Sequence, residues 1–205
     1  MLQIYISRHG QNEDNATGIL NGHRNLPLTD IGIRQAYELA EGIKTMNHTF
    51  DAVYTSPLVR ASKTAEIICE TLEIAKPKIM ELLIERNFGV MSGKLAKDIE
   101  KLCKPHIVKT ETITYFLSPE GAETFPDLFE RARLTLDEIY TLHTDGSILL
   151  STHGDFGKML YGAFYGIHWQ EMLTKFHFDN CELLVLSPEA NHNQPHVIKI
   201  EQYNH

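Results

Sequence analysis

Short apolar runs alternate along this chain with longer stretches in which apolar residues recur every three or four positions. Leu2-Gln3-Ile4-Tyr5-Ile6 reads as a first buried strand, and a polar loop rich in Gly and Asn follows over 10–27. Thr29 stands where a helix N-cap belongs, ahead of Ile33, Ala36, Tyr37, Leu39, Ala40 and Ile43 at helical spacing. Residues 51–55 predict a second strand, stopped by Ser56-Pro57, and 58–72 predict a helix with Ala61, Thr64, Ala65, Ile68 and Leu72 on its inner face. A third strand is expected over 79–84, with Glu85 at its end.

Periodicity weakens over 86–126, where 110–114 is rich in Thr and Pro119, Gly121 and Pro126 mark turns, so a cap or lid over the strand ends is expected there. A helix over 128–142, a fourth strand over 147–152 and a helix over 158–165 restore the pattern. Two closing strands, 182–186 and 196–202, flank a turn-rich stretch over 187–195. Strands alternating with helices predict an α/β fold. It should be a three-layer sandwich, with a mostly parallel central sheet, helices on both faces and a small inserted cap. No repeat, low-complexity segment or long linker divides the 205 residues, so one domain over 1–205 is expected.

The chemistry gathers at the predicted strand ends. Arg8-His9-Gly10 follows the first strand, Arg60 opens the helix after the second, Glu85 follows the third, and His153-Gly154 follows the fourth. Strand ends are where open α/β sheets put their sites. Each residue alone has an ordinary reading: Arg60 a surface cation, Glu85 a salt-bridge partner, Asn15 a turn residue. Jointly they supply what phosphoryl transfer asks for, namely cationic clamps, an in-line nucleophile and a proton source. Arg8 and Arg60 disfavour an imidazolium at His9, keeping a ring nitrogen free to attack phosphorus. Glu85 beside a phosphate dianion holds its proton and can act as general acid.

The same residues carry a family resemblance. Arg8-His9-Gly10 with Asn15 resembles the Arg-His-Gly-x-x-x-x-Asn of the histidine phosphatase superfamily, which includes cofactor-dependent phosphoglycerate mutases. Asn21 to Thr29 with Gly32, Gln35 and Ala36 resembles the family's next block. Ser56-Pro57-Leu58 with Arg60-Ala61 and Thr64-Ala65 is similar to the third, and His153-Gly154 to the last. The resemblance implies that His9 is phosphorylated, that Glu85 donates the proton, and that Arg8, Arg60 and His153 complete the pocket. It further implies phosphate or substrate contacts from Asn15, Asn21, Gly22, His23, Arg86 and Gly154, with no metal and no cofactor. Four departures stand out. Gln11-Asn12 replaces an acidic residue followed by Thr or Ser, and Asn25 replaces a frequent Asp. Phe88-Gly89 is followed by Val90-Met91 rather than by Trp-Glu-Gly, and Asp155 replaces a frequent Gly.

Phosphatase and mutase divide on the cap. Arg86 after Glu85 resembles the mutases, but no adjacent arginines occur between Glu85 and His153, and Arg131 and Arg133 diverge on a helix. A phosphomonoester hydrolase acting on a small phosphorylated metabolite is therefore the primary expectation. A phosphoglycerate mutase and a non-catalytic binder of phosphorylated ligands or proteins are the alternatives. Eleven histidines raise a metal enzyme as a rival, yet Pro195 interrupts the His192/His196 pair and no His-Glu-x-x-His occurs. The remaining histidines, among them His205, read as surface or structural, His23 excepted because its loop reaches toward the substrate.

With 27 acidic against 19 basic residues, a net charge of −8 argues against a broad nucleic-acid or membrane surface. Cys69, Cys103 and Cys181 form no Cys-x-x-Cys pair and read as free thiols. The first apolar run is too short for a signal peptide, so a cytoplasmic protein is expected. The oligomeric state is left open, a homo-oligomer through an exposed edge strand included.

Overall fold

The computed structural model describes residues 1–189 and 194–203, so His192, His205 and part of the turn-rich stretch over 187–195 lie outside the described residues. In chain order the elements are β1 (Gln3–Arg8), α1 (Glu13–Thr17), α2 (Asp30–Thr45), β2 (Ala52–Thr55), α3 (Val59–Thr71), β3 (Lys78–Ile79), α4 (Ile99–Cys103) and β4 (Ile107–Lys109). After them come β5 (Thr114–Phe116), α5 (Phe125–Leu142), β6 (Ser147–Thr152), α6 (Gly154–Tyr165), α7 (Trp169–Lys175), β7 (Leu183–Leu186) and β8 (His196–Ile198). A six-stranded sheet runs β3-β2-β6-β1-β7-β8. The pairs from β3 to β1 are parallel, and β7 and β8 each pair antiparallel with the strand before them in that order.

The strands read as apolar runs because both faces are buried. Ile4, Ile6, Ile148, Leu150 and Leu184 pack toward Leu128, Leu136, Met159 and Leu160 of α5 and α6. Tyr5, Val53, Leu149 and Leu183 pack toward Ala36, Leu39, Ile43, Ala65 and Ile68 of α2 and α3. Each such side chain withdrawn from water stabilises the fold by roughly 1.5–3 kcal/mol. The three layers and the mostly parallel sheet are therefore as expected, and no helix among the described residues is long and apolar enough to cross a membrane.

Register is what sets the site. Arg8 pairs with Thr152 across β1 and β6, and Thr55 pairs with Ser151 across β2 and β6. His9, His153 and Ser56 therefore leave the sheet at one level, and the His9 amide donates to Thr152 O at 3.0 Å. A slip of one residue would send every side chain of a strand to the opposite face.

Several elements differ from expectation. The third strand is only Lys78–Ile79, because Glu81–Leu83 turns as a 3₁₀ helix that buries Leu83 and turns the chain toward Glu85. The last strand ends at Ile198 rather than at 202, where the Gln202 side chain leaves the sheet to bond Asn180. Helix α6 starts four residues before the expected 158, at Gly154; Gly154 and Gly157 mask it in the sequence, being poor helix formers. Helix α5 starts at Phe125, capped by Thr124, with Pro126 tolerated in its first turn. The polar loop over 10–27 contains α1, which Asn12 and Asn15 close with a capping box. Within 86–126, α4 and the β4–β5 hairpin pack Ile99 and Phe116 on Phe88 and Met91.

Where the chain leaves β1 it crosses the first turn of α2 at backbone distance. A Cβ on Gly32 would lie 2.0 Å from Gln11 O, and one on Gly10 would lie 2.3 Å from Gly32 O. Gly32→Ala should therefore destabilise the fold by about 1–3 kcal/mol in urea titration. An unchanged midpoint would contradict this packing.

Candidate active site

His9 is 2% exposed, and its ring is held at both nitrogens. Gly10 O can only accept, so the 2.7 Å contact with His9 Nδ1 places the ring proton there. Nε2 is left with a lone pair, and Arg60 Nε donates to it at 3.1 Å. Burial first, then the charges of Arg60 and Arg8, hold the His9 pKa well below the usual imidazole value, against the opposing Gly10 hydrogen bond. The sequence suggests the arginines as the cause; burial is the larger one.

Arg60 is itself fully buried. Its Nη1 donates to Arg24 O at 2.6 Å and its Nη2 to Gly22 O at 2.9 Å. Burial lowers its pKa to about 10, partly offset by Glu85, which leaves it charged at neutral pH. Gly22 reaches this position with φ +50°, and a Cβ there would lie 2.8 Å from Ser92 Oγ. One turn beyond Arg60, Thr64 Oγ1 accepts the Gly10 amide at 3.0 Å, tying helix α3 to the residue behind the nucleophile candidate.

His153 lies with its ring centroid 5.1 Å from that of His9. Ser56 Oγ accepts the Leu58 amide at 3.2 Å and is hydrogen-bonded to His153 Nε2 at 2.8 Å, which fixes the ring plane. Burial, followed by the nearby charges of Arg60, His9, Arg8 and Arg131, lowers the His153 pKa well below the usual value. His153 Nδ1 and Arg8 Nε are both buried without a hydrogen-bond partner among the described residues, while Arg8 Nη1 donates to Phe178 O at 2.7 Å. An orphaned guanidinium N–H and an orphaned imidazole nitrogen beside His9 are groups that an anion with several oxygens, one of them able to carry a proton, satisfies.

Glu85 comes from the turn after β3 and is 6% exposed. The amides of Arg86 and Phe156 donate to its Oε1 at 2.8 and 3.2 Å, leaving Oε2 to carry a proton. Burial first, then the Asp155 carboxylate, raises its pKa, against the Arg86 amide and the charges of Arg60 and Arg8. Arg131 fastens this turn from α5, donating through Nη1 to Leu82 O and Ile84 O at 2.7 and 2.8 Å. It points inward, whereas Arg133 is 64% exposed, as their spacing on a helix predicts.

The remaining candidates are placed unequally. Asn15, Asn21 and Gly154 line the same cleft as Arg8, His9 and Glu85. The Asn15 carbonyl is engaged with Asn12 N and Asn180 Nδ2, both at 3.3 Å, and Asn21 pairs with the Asn12 side chain. Asn12, the amide where a hydroxyl is frequent, thus supports the loop. His23 is outside the cleft lining: its Nε2 meets Glu85 O at 2.7 Å, so it braces the main chain of the acid. Arg86 lines the cleft but spends its Nε on Asp155 and its Nη1 on Phe116 O.

Ser56, Asn180, Arg131 and Lys158 were not singled out for this site by the sequence. Only Ser56 carries a signal, its place in the Ser-Pro block. Among the described residues no group of three or more His, Cys, Asp or Glu is disposed to hold a metal ion.

Polar groups gather at the carboxyl edge of a mostly parallel sheet, the edge where open α/β folds carry their sites. The chain belongs to the histidine phosphatase superfamily (branch 1), which residues 4–201 match. It is 31% identical over 164 residues to phosphoglycerate mutase-like protein 4 of Arabidopsis thaliana, spanning 78% of this chain and 69% of that protein. It is 33% identical over 161 residues to a probable phosphoglycerate mutase of Yersinia pestis, spanning 75% and 70%. The fold matches the phosphoserine phosphatase of Entamoeba histolytica, solved with 3-phosphoglyceric acid, at TM-score 0.71 and 25% identity over 90% of each chain. A mycobacterial glucosyl-3-phosphoglycerate phosphatase matches at TM-score 0.75 and 19% identity, over 89% of this chain and 88% of that one, which is a likeness of fold alone.

The lowered pKa of His153 has a stability consequence. The unfolded ring takes its proton near 6.5 while the folded one resists until lower pH, so stability is full above 6.5 and is lost on acidification below it. His153→Gln should flatten the fall in urea midpoint between about pH 7 and pH 5. Parallel profiles for variant and parent would contradict a neutral buried His153.

Proposed function

We propose that the protein is a phosphomonoesterase that works through a phosphohistidine at His9 on a small phosphorylated metabolite. The observation that carries this reading is the His9 ring. Its proton is committed to Gly10 O, and the Nε2 lone pair faces the guanidinium of Arg60.

On entry of the substrate, Arg60 Nε turns from His9 Nε2 to a phosphoryl oxygen, while Arg8 Nε and His153 Nδ1 take others. Nε2 attacks phosphorus, the P–O ester bond breaks, and Glu85 gives its proton to the departing alcohol. Gly10 O steadies the charge that develops on the phosphorylated ring through Nδ1–H. Glu85, now a carboxylate, takes a proton from water, whose oxygen attacks phosphorus. Inorganic phosphate leaves and Nε2 regains its lone pair.

A cofactor-dependent phosphoglycerate mutase is the second reading, favoured by the names of the relatives from Arabidopsis and Yersinia. Against it weighs the pairing of Arg86 with Asp155 and of Arg131 with Glu123, which offsets both guanidinium charges with protein carboxylates.

Phosphate release from an aryl phosphate and a panel of metabolite phosphoesters, measured with a chelator present, tests the proposal. Release that vanishes in His9→Ala is expected; no release from any ester would contradict hydrolysis, and transfer between positions of phosphoglycerate would favour the mutase. Glu85→Gln should slow alkyl esters by about 10²–10⁴-fold and aryl esters far less, because only a poor leaving group needs the proton. Equal losses would remove Glu85 from that role. Rates should fall on the alkaline side as Glu85 ionises above the usual carboxylate pKa, and on the acid side only well below 6.5, where His9 protonates. A profile limited on the acid side near 6.5 would contradict the burial argument.

A further inference from the structure

Beyond Glu85 the cleft changes character. Its apolar lining is Ile19, Leu20, Phe88, Ile99, Ile113 and Phe116, contributed by the 10–27 loop and the cap, with Thr114, Tyr115 and His177 also facing it. Arg86, Asp155 and Lys158, set among them, each have hydrogen-bond partners within the protein. Arg86 is 1% exposed and donates from Nε to Asp155 at 2.8 Å and from Nη1 to Phe116 O at 3.1 Å. The rings of Phe88, Phe116 and Phe125 lie 4.9, 4.3 and 4.2 Å from its guanidinium carbon.

Lys158 is also buried, and its Nζ donates to Tyr115 Oη at 3.1 Å and to Leu173 O at 3.0 Å. Burial brings its pKa down to about 8, which weakens its claim as a permanent cation, although Asp155 pulls the other way. Asp155 keeps 15% of its side chain exposed and adds negative charge to this end of the cleft.

A ligand with a second phosphate or a carboxylate would have to give up its hydration there to meet a guanidinium already shared with the Asp155 carboxylate. An apolar group loses nothing and gains the apolar walls. The cleft encloses about 180 Å³. That is below the roughly 300–1,000 Å³ of sites for drug-sized ligands, which limits the group to a compact one.

We propose that the leaving group this cleft accepts is a compact, largely apolar alcohol without a second anionic group, and that the Arg86–Asp155 pair enforces the exclusion. This rests on the phosphomonoesterase reading for the phosphate end of the ligand. Asp155 is then a specificity-determining residue: it neutralises a guanidinium that would otherwise attract a second anion.

Two phosphonates of one shape separate this from the hydrolase reading, because they bind without turning over. The 3-methylbutyl phosphonate and the 2-carboxyethyl phosphonate share a skeleton, with two methyls in one where the other has a carboxylate. Calorimetry on the intact protein should find the apolar ligand about ten-fold tighter. Equal affinity, tighter binding of the carboxylate, or binding of neither would overturn the proposal. Asp155→Asn should bring the ratio down to about parity by leaving the Arg86 charge unmatched. A ratio unchanged in that variant would overturn the assignment to the ion pair. If the apolar preference holds while 3-methylbutyl phosphate and aryl phosphates are not hydrolysed, the phosphomonoesterase reading fails and the cleft assignment stands.

Discussion

The contact on which the site depends is the 3.1 Å hydrogen bond from Arg60 Nε to His9 Nε2. It joins a fully buried cation to the unprotonated face of a buried ring, and neither group is comfortable there alone. Removing a guanidinium from water costs several kcal/mol unless its donors are met. Arg24 O and Gly22 O meet two of them, and both belong to the loop that leads from α1 to α2. The loop conformation, including the positive φ of Gly22, is thereby coupled to the charge state and tautomer of His9.

That contact exists because four chain segments arrive at one level. The β1–β6 and β2–β6 registers bring His9, His153 and Ser56 out together, and α3 begins a few residues later with Arg60 near its start. Helix α3 has no side-chain cap of its own at Leu58; Asn25 Oδ1 accepts the Val59 amide at 2.7 Å instead. The Asn that stands where the family often has Asp thus still ties the Arg60 helix to the loop Arg60 holds. Glu85 is placed differently, by a 3₁₀ turn and by the first amides of α6, so the acid candidate depends on the cap side of the sheet.

Much of this was legible in sequence, and for identifiable reasons. Strands β1, β6 and β7 are buried on both faces and announce themselves as apolar runs, and Thr29 caps α2 where its spacing predicts. Arg8, His9, Arg60 and His153 lie next to strand ends or helix starts, so their order along the chain is enough to find them, whereas Glu85 follows the Glu81–Leu83 turn. What escaped notice depends on side chains meeting across long sequence separations. The stretch over 79–84 is apolar like a strand, yet only Ile79 of it belongs to β3, because burying Leu83 requires a turn that apolarity does not encode. Arg86 reads as a ligand-binding cation and does line the cleft, but its ion pair with Asp155, 69 residues away, leaves no mark in the sequence. Arg131 carries no sequence signal of its partners, the carbonyls of Leu82 and Ile84. The small cap elements are held by clustered contacts such as Phe88 with Phe116 rather than by any period, and so leave no pattern to read.

The most direct test of His9 as the group that takes the phosphoryl is a rapid acid- and base-quench of the protein with an aryl phosphate, followed by mass spectrometry of its peptides. The account predicts a phosphoryl group on the peptide containing His9, lost in acid and retained in base, that accumulates when Glu85→Gln slows its hydrolysis. A label on another residue, or phosphate release with no labelled peptide at any time point, would contradict it.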